Sequence, residues 1–390
     1  MRYRPLIWLA VATFSTGIDG YVLAGLLPAI ASDLRVVEAV AGQLVSAFAL
    51  TSALAAPLLS TATSRWERRR TIALSLGVFV VGNLVVGLAP GYSVALGGRV
   101  VAALGGCLLN AAVTGYVIAL TPAKDHGKAL SFVLGGWMAA TALGVPVGLV
   151  LGQSSWRFPM ILVAAVGTIA LAGIVLKLPR LHLPAGTLAD RLRPLGQPRL
   201  LAGLLVTTGI LCSSYTCFTY ATLILAPAFP GEWMIILVMF GYGLASMLGN
   251  AVTGRLTDRF GALRVLTVVL IGLLVDAVLA ALVFKVSGVV AVVGLLWFFA
   301  AGIGNGGAAV PQQARLAALA PDSAAIVMAL NGSAIALGCA LGSALGGVAL
   351  AAGTPAPALP AVAALILALT LTLHAVLPAR AMQPLLRRDR

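Results

Sequence analysis

The 390-residue chain is a succession of apolar runs separated by short polar or Gly/Pro-rich breaks. A helix needs about 20 mostly apolar residues to cross a bilayer. Twelve runs approach or exceed that length: 6–31, 39–61, 71–89, 94–120, 129–152, 158–176, 200–225, 233–253, 265–284, 287–310, 324–352 and 357–377. The first begins behind Met1-Arg-Tyr-Arg. It is longer than the apolar core of a signal peptide, so it is read as a retained span. The tenth continues into Gln312, Gln313 and Arg315, which leaves its end the least defined. The pattern predicts an all-α integral membrane protein with twelve transmembrane helices.

Composition agrees. AVILMFWYC residues make up 61% and charged residues 9%, where a soluble surface needs about 25% charged. The chain cannot cover itself with polar groups, so the lipid bilayer is its first partner. A net charge of +14 would raise nucleic-acid binding in a soluble chain. That reading needs the basic residues on one solvated face, and here they fall in short clusters between apolar runs, so nucleic acid is excluded. The clusters report orientation instead. With the N-terminus cytoplasmic, twenty-one Lys and Arg lie in inside segments, three (Arg35, Arg157, Lys285) outside, and Arg99 within a span. Both termini are therefore expected on the cytoplasmic side of the plasma (inner) membrane.

The longest polar stretch, about Lys177 to Arg199, carries Pro179, Pro184, Pro194 and Pro198. It divides the chain into a six-helix bundle over 1–178, a cytoplasmic linker over 179–198 and a second six-helix bundle over 199–390. The halves repeat. Ala142–Gly152 aligns without gaps on Ala336–Gly346, 194 positions later, and the same offset carries Ser60–Arg70 onto Gly254–Arg264. The register slips between these landmarks, because Leu120-Thr-Pro122 matches Leu319-Ala-Pro321. Two pseudo-symmetric halves mark a secondary-transporter architecture, with the substrate site near mid-membrane where they meet.

The segment Gly254-Arg-Leu-Thr-Asp258-Arg259-Phe-Gly261-Ala-Leu-Arg264 reads as a short loop between two spans, with Gly254 and Gly261 permitting tight turns. Here the chain resembles the major facilitator superfamily, whose loop signature after the second and eighth spans is G-x-L-x-D-R-x-G-x-x-R. The first-half copy is degraded: Ser60 and Ser64 stand where Gly and Asp are expected, Glu67 replaces the second Gly, and Arg65 is kept. The resemblance implies that Arg65, Gly254, Asp258, Arg259, Gly261 and Arg264 support a conformational switch, the second-half copy more strongly. A basic loop serving only orientation is the alternative.

Gly136, Ala140, Gly144, Gly148 and Gly152 recur every four residues, and Gly338, Gly342 and Gly346 repeat the pattern in the eleventh run. Small residues at that spacing let helix backbones approach closely, and Pro146 is expected to bend its helix. Gly144-Val-Pro146-Val-Gly148 resembles the superfamily's fifth-span motif of proton-exchanging exporters. Plain packing explains the spacing equally well.

Asp19 lies mid-way along the first run, with Ser15 and Thr16 on its face. A carboxyl inside a membrane is costly and by default functional. The segment Asp19–Ala31 resembles the first span of the twelve-span drug:proton antiporters of the chloramphenicol-resistance and sugar-efflux type, whose acid falls one residue later, where this chain has Gly20. The resemblance implies proton coupling at Asp19, with Arg99 as its electrostatic counterpart. Counted from the run ends, the two lie roughly 10 Å apart in depth, so direct contact is not expected without tilt or water. Asn110 shares the Arg99 face eleven residues on. Asp276, in a third-in-repeat and hence peripheral span, is expected to be structural. Run seven is unusually polar, and Tyr21, Asn110, Trp137, Tyr215, Thr216, Tyr220, Trp297 and Asn331 are the candidate lining of a substrate cavity.

No enzyme constellation is present. The four cysteines lack metal-ligand spacing, the three histidines are scattered, and there is no G-x-x-x-x-G-K-[ST] loop. No catalytic residue, metal or cofactor is expected. The reading is a monomeric, proton-coupled exporter of a small organic molecule working by alternating access. The alternatives are a proton-coupled uptake symporter for a sugar or organic acid and, more remotely, a non-transporting receptor or assembly factor.

Overall fold

The computed structural model describes residues 5–122, 125–182, 193–229, 231–287, 289–320 and 323–386. Among them, eleven helices are long and apolar enough to cross a membrane. In chain order the long helices are α1 (Leu6–Leu34), α2 (Glu38–Ala62), α3 (Arg68–Gly87) and α4 (Tyr92–Leu120). The fifth run, α5, is built in three pieces: α-helical His126–Ala139, π-helical Ala140–Gly144 and α-helical Val145–Gly152. Then come α6 (Arg157–Lys177), α7 (Pro198–Phe218) with a short continuation Ala221–Leu225, α8 (Glu232–Phe260), α9 (Ala262–Ser287), α10 (Ala291–Leu319), α11 (Ala324–Ala351) and α12 (Leu359–Leu386). The middle of the linker, including Pro184, lies outside the described residues, as do Arg2, Arg4 and Lys124.

The bend expected at Pro146 takes the form of the π turn. Proline has no N–H to offer the preceding turn, and a π bulge is one way a helix absorbs that mismatch. Two boundaries differ from the sequence reading. Helix α8 continues to Phe260, so Gly254 to Arg259 are helical and only Gly261, at φ 85°, makes the turn into α9. Helix α10 passes through Pro311 to Leu319. Helical hydrogen bonding does not stop where apolarity stops, and both helices extend beyond their apolar runs.

Packing repeats between the halves. In the first, α1 lies against α5 and α6, α2 against α4, and α3 against α4 and α6; in the second, α7 lies against α11 and α12, α8 against α10, and α9 against α10 and α12. A matched pair of hydrogen bonds accompanies this: Ser15 Oγ donates to Val163 O (2.8 Å) from α1 to α6, and Ser213 Oγ to Ala363 O (3.1 Å) from α7 to α12. The halves meet along α2–α11 and α5–α8. At one end of that seam Gly42 abuts the Tyr220 ring, and Gly347 abuts both Tyr220 and Gln43. Ala49 packs on Cys339 and Ala340 further along.

Candidate functional site

The two most buried charges in the first half meet. Arg99 Nη1 lies 2.6 Å from Asp19 Oδ1, with both side chains within 2% of full burial. Arg99 also donates through Nε to Leu44 O at 3.3 Å and lies 4.3 Å from the centre of the Phe48 ring. Asp19 Oδ2 is buried without a hydrogen-bond partner. This corrects the depth reckoning from sequence. Asp19 is well inside α1 and Arg99 only two turns into α4, so level, untilted helices would set them apart in depth. Tilt or offset of the helices and the reach of the arginine close that gap, and the long side chain bridges α1, α2 and α4 at once.

Next to this pair runs a chain of aromatic rings that crosses between the halves. Trp137 Nε1 lies 3.5 Å from the Tyr21 hydroxyl, and Tyr21 meets Phe218 edge to face at 5.8 Å. Phe218 in turn contacts Tyr215 (5.7 Å) and Tyr242 (5.1 Å), Tyr242 contacts Phe298 (4.6 Å), and Phe298 contacts Trp297 (5.6 Å). The structure thus gathers Tyr21, Trp137, Tyr215 and Trp297 through three rings the sequence reading missed: Phe218, Tyr242 and Phe298. Their signal was present, since aromatic residues are only 6% of the chain and these three sit deep within spans.

Three cavity candidates are placed differently. Thr216 is fully buried, and its hydroxyl lies within hydrogen-bonding distance of Cys212 O and Gly342 O. Tyr220 is also fully buried and donates to Ser343 O at 2.9 Å. Asn331 Oδ1 accepts from Thr207, whose Oγ1 accepts from Gln312 Nε2, both at 2.8 Å. These groups tie helices together, and none of the three lines the cavity beside Asp276. The polarity of α7 serves mainly α11 and α12, because hydroxyls facing a neighbouring helix find its carbonyls more readily than water. Asn110 is exposed, on the face it shares with Arg99.

The glycine stripes face α1 and α7. A Cβ at Gly144, Gly148 or Gly152 would run into Ile18, Val22 or Leu26 in turn. At Gly338, Gly342 and Gly346 it would meet the backbone carbonyls of Thr208, Cys212 and Thr216. Pro146, within the same run as Gly144 and Gly148, is half-buried. Arg65, Asp258, Arg259 and Arg264 are exposed, and Asp258 forms no hydrogen bond or ion pair among the described residues.

Asp276 points into a cavity of about 30 Å³ between α7, α8, α9, α10 and α12, walled by Phe218, Tyr242, Trp297 and Phe298. A peripheral helix thus turns its one acid inward. Among the described residues no three His, Cys, Asp or Glu side chains cluster in a way that could hold a metal ion.

Comparison with known proteins fits this architecture. The sequence profile of the Major Facilitator Superfamily matches residues 9–232. The uncharacterized MFS-type transporter YbcL of Bacillus subtilis (strain 168) is 30% identical over 361 residues, covering 87% of each chain. The chloramphenicol resistance protein of Streptomyces lividans is 34% identical over 262 residues, covering 65% of this chain and 67% of that protein. Among solved structures, a bacterial homolog of the human lysosomal transporter Spinster, in an inward-facing and unoccupied conformation, superposes with a TM-score of 0.72 at 17% identity over 97% of this chain and 95% of its own. With the profile spanning more than half of the sequence and a relative matched along most of its length, the chain belongs to the Major Facilitator Superfamily: it is a multi-pass membrane protein and a secondary transporter.

Proposed function

We propose that the protein exports a small organic molecule from the cytoplasm across the plasma (inner) membrane in exchange for protons, with Asp19 as the proton carrier. The observation that carries this reading is the Asp19–Arg99 pair with its unpartnered Oδ2. A buried carboxylate is tolerated only while its partner compensates it, and the free oxygen is a place for a proton. Protonation removes the attraction between α1 and α4. Arg99 then keeps only Leu44 O and the Phe48 ring, both on α2. Leu44 follows directly on Gly42 and Gln43, which touch Tyr220 and Gly347 of the second half. One proton therefore acts on the segment where the halves meet.

The distribution of Lys and Arg puts the Gly42–Tyr220 end on the outside, so this contact would close the outer end of the seam. The six residues of the Gly254–Arg264 and Arg65 segments would take part in the switch, which rocks one half against the other around the aromatic chain. Chloramphenicol is the first substrate to try, given the Streptomyces relative. Asp19→Asn mimics the protonated acid. In proteoliposomes with an imposed pH gradient it should abolish gradient-driven transport while substrate exchange across the membrane persists. Full gradient-driven transport by this variant would remove Asp19 from the mechanism.

A further inference from the structure

We infer that the Asp276 pocket binds the positively charged head of an organic amine, which makes organic ammonium ions a substrate class of the transporter; this rests on the export reading above. The pocket has two kinds of wall. Phe218, Tyr242, Trp297 and Phe298 supply ring surfaces from three helices, held against one another at centroid distances of 4.6 to 6.4 Å. Asp276 supplies the negative charge, and among the described residues it has no hydrogen bond or ion pair. No basic residue is among the described residues lining the pocket. A carboxyl enclosed by a bundle and lacking a protein partner is where a cation from outside the chain finds its counter-charge.

The ring walls decide which cation. A metal ion needs a shell of oxygen ligands, whereas Ser213 already donates to Ala363 O and the Tyr242 hydroxyl is engaged with Ser214 and Asn305. Aromatic faces instead attract weakly hydrated organic cations, most strongly once these leave water. An ammonium N–H can bond Asp276 while its CH₂ or CH₃ groups lie on the rings. The volume of about 30 Å³ exceeds the roughly 10–15 Å³ that one water requires and falls far below that of a pocket for a whole drug-sized ligand. It fits a head group, with the remainder of the molecule passing Phe218 toward the Tyr21 contact that joins the halves.

The test uses the full chain purified in detergent and a matched pair of probes, 2-phenylethylamine and the neutral 2-phenylethanol, with binding followed calorimetrically and by Trp fluorescence. The wild type should bind the amine about tenfold more tightly than the alcohol. Asp276→Asn should remove that preference while changing alcohol binding by no more than about twofold. Asp276→Glu, which keeps the charge, should retain the preference, and thermal unfolding checks that both variants are folded. Equal wild-type affinity for amine and alcohol, absent amine binding, or a preference that survives Asp276→Asn overturns the proposal, and the wild-type comparison holds even if a variant fails to fold. Asp19→Asn, measured alongside, separates this site from the proton-coupling reading. Loss of gradient-driven transport with amine preference intact supports both readings; full gradient-driven transport with the preference intact defeats only proton coupling at Asp19. Loss of the preference in Asp19→Asn overturns the assignment of the amine to Asp276.

Discussion

The seam between α3 and α4 and its counterpart between α9 and α10 are filled in opposite ways. Across the first, Gly82 lies so close to the backbone of Ala102, and Gly105 to the backbone of Phe79, that neither site has room for a Cβ. Across the second, the atoms nearest a Cβ at Gly304 belong to the flexible end of Leu273 rather than to backbone. The loop offset of 194 carries Gly82 onto Asp276, so the acid occupies the place where the first half presses two backbones together. The charged residues answer each other in the same way. Aligning Ser15 with Ser213, and α4 with α10 end to end, sets Cys217 opposite Asp19 and Phe298 opposite Arg99. Both Cys217 and Phe298 line the Asp276 pocket. One half therefore holds a closed ion pair and the other, at the same location, an open aromatic pocket with an acid. On the proposed function, the duplicated halves would divide the work, the first holding a proton and the second a molecule.

The largest effect should come from breaking the closed side. Arg99→Met leaves Asp19 without compensation inside the bundle and should cost about 3–5 kcal/mol, read as a lowered unfolding midpoint in detergent. The double variant Asp19→Asn, Arg99→Met should recover most of it; no recovery would mean that Arg99 acts by packing alone. Next, Gly82→Ala should cost about 1–3 kcal/mol by forcing α3 and α4 apart, whereas Asp276→Ala, which removes an unpartnered acid, should raise the midpoint. A loss of stability in both would erase the contrast between the seams.

Two smaller effects sharpen the same comparison. Asp258→Asn should slow turnover about tenfold with insertion unchanged, because a carboxylate near the start of α9 favours that helix end; Ser64→Ala, at the uncharged first-half position, should leave turnover unchanged. Initial transport rates normalised to folded protein decide it, and equal losses would defeat the asymmetry of the two loops. The smallest effect is expected where the halves agree. Ser15→Ala and Ser213→Ala each remove one interhelical hydrogen bond and should cost a similar amount, on the order of 0.6 kcal/mol in a membrane protein. A difference above about 1 kcal/mol, the scale of a single net hydrogen bond, would show that the two bonds are not equivalent.

The spans were legible because a bilayer imposes one demand, length in apolar residues, that the chain displays openly. Orientation within a span was not. Thr216, Tyr220 and Asn331 announced polarity without announcing which neighbour would use it. The direction of a hydroxyl depends on helix rotation, which apolar periodicity fixes poorly when every face is apolar. The Asp19–Arg99 contact was hidden for a different reason: depth counted from run ends assumes level, untilted helices and leaves out the reach of a long arginine side chain. Asp276 was discounted because α9 is peripheral, although a peripheral helix still has an inner face. Pro146 signalled a distortion, yet the distortion sits in the turn before it, where the carbonyl loses its donor.

That π turn has a mechanical consequence. Ala140–Gly144 packs against α1 at Gly17, two residues before Asp19, and Trp137 just below it reaches Tyr21. A helix missing one of its regular hydrogen bonds is softer there than along the rest of its length. Bending of α5 is thus concentrated in one turn, beside the acid and beside the α8 contact between the halves. The softest turn of the first half lies beside residue 19, where a change of charge would have a short lever to act on, whereas along α7 and α11 the glycines sit directly on backbone carbonyls.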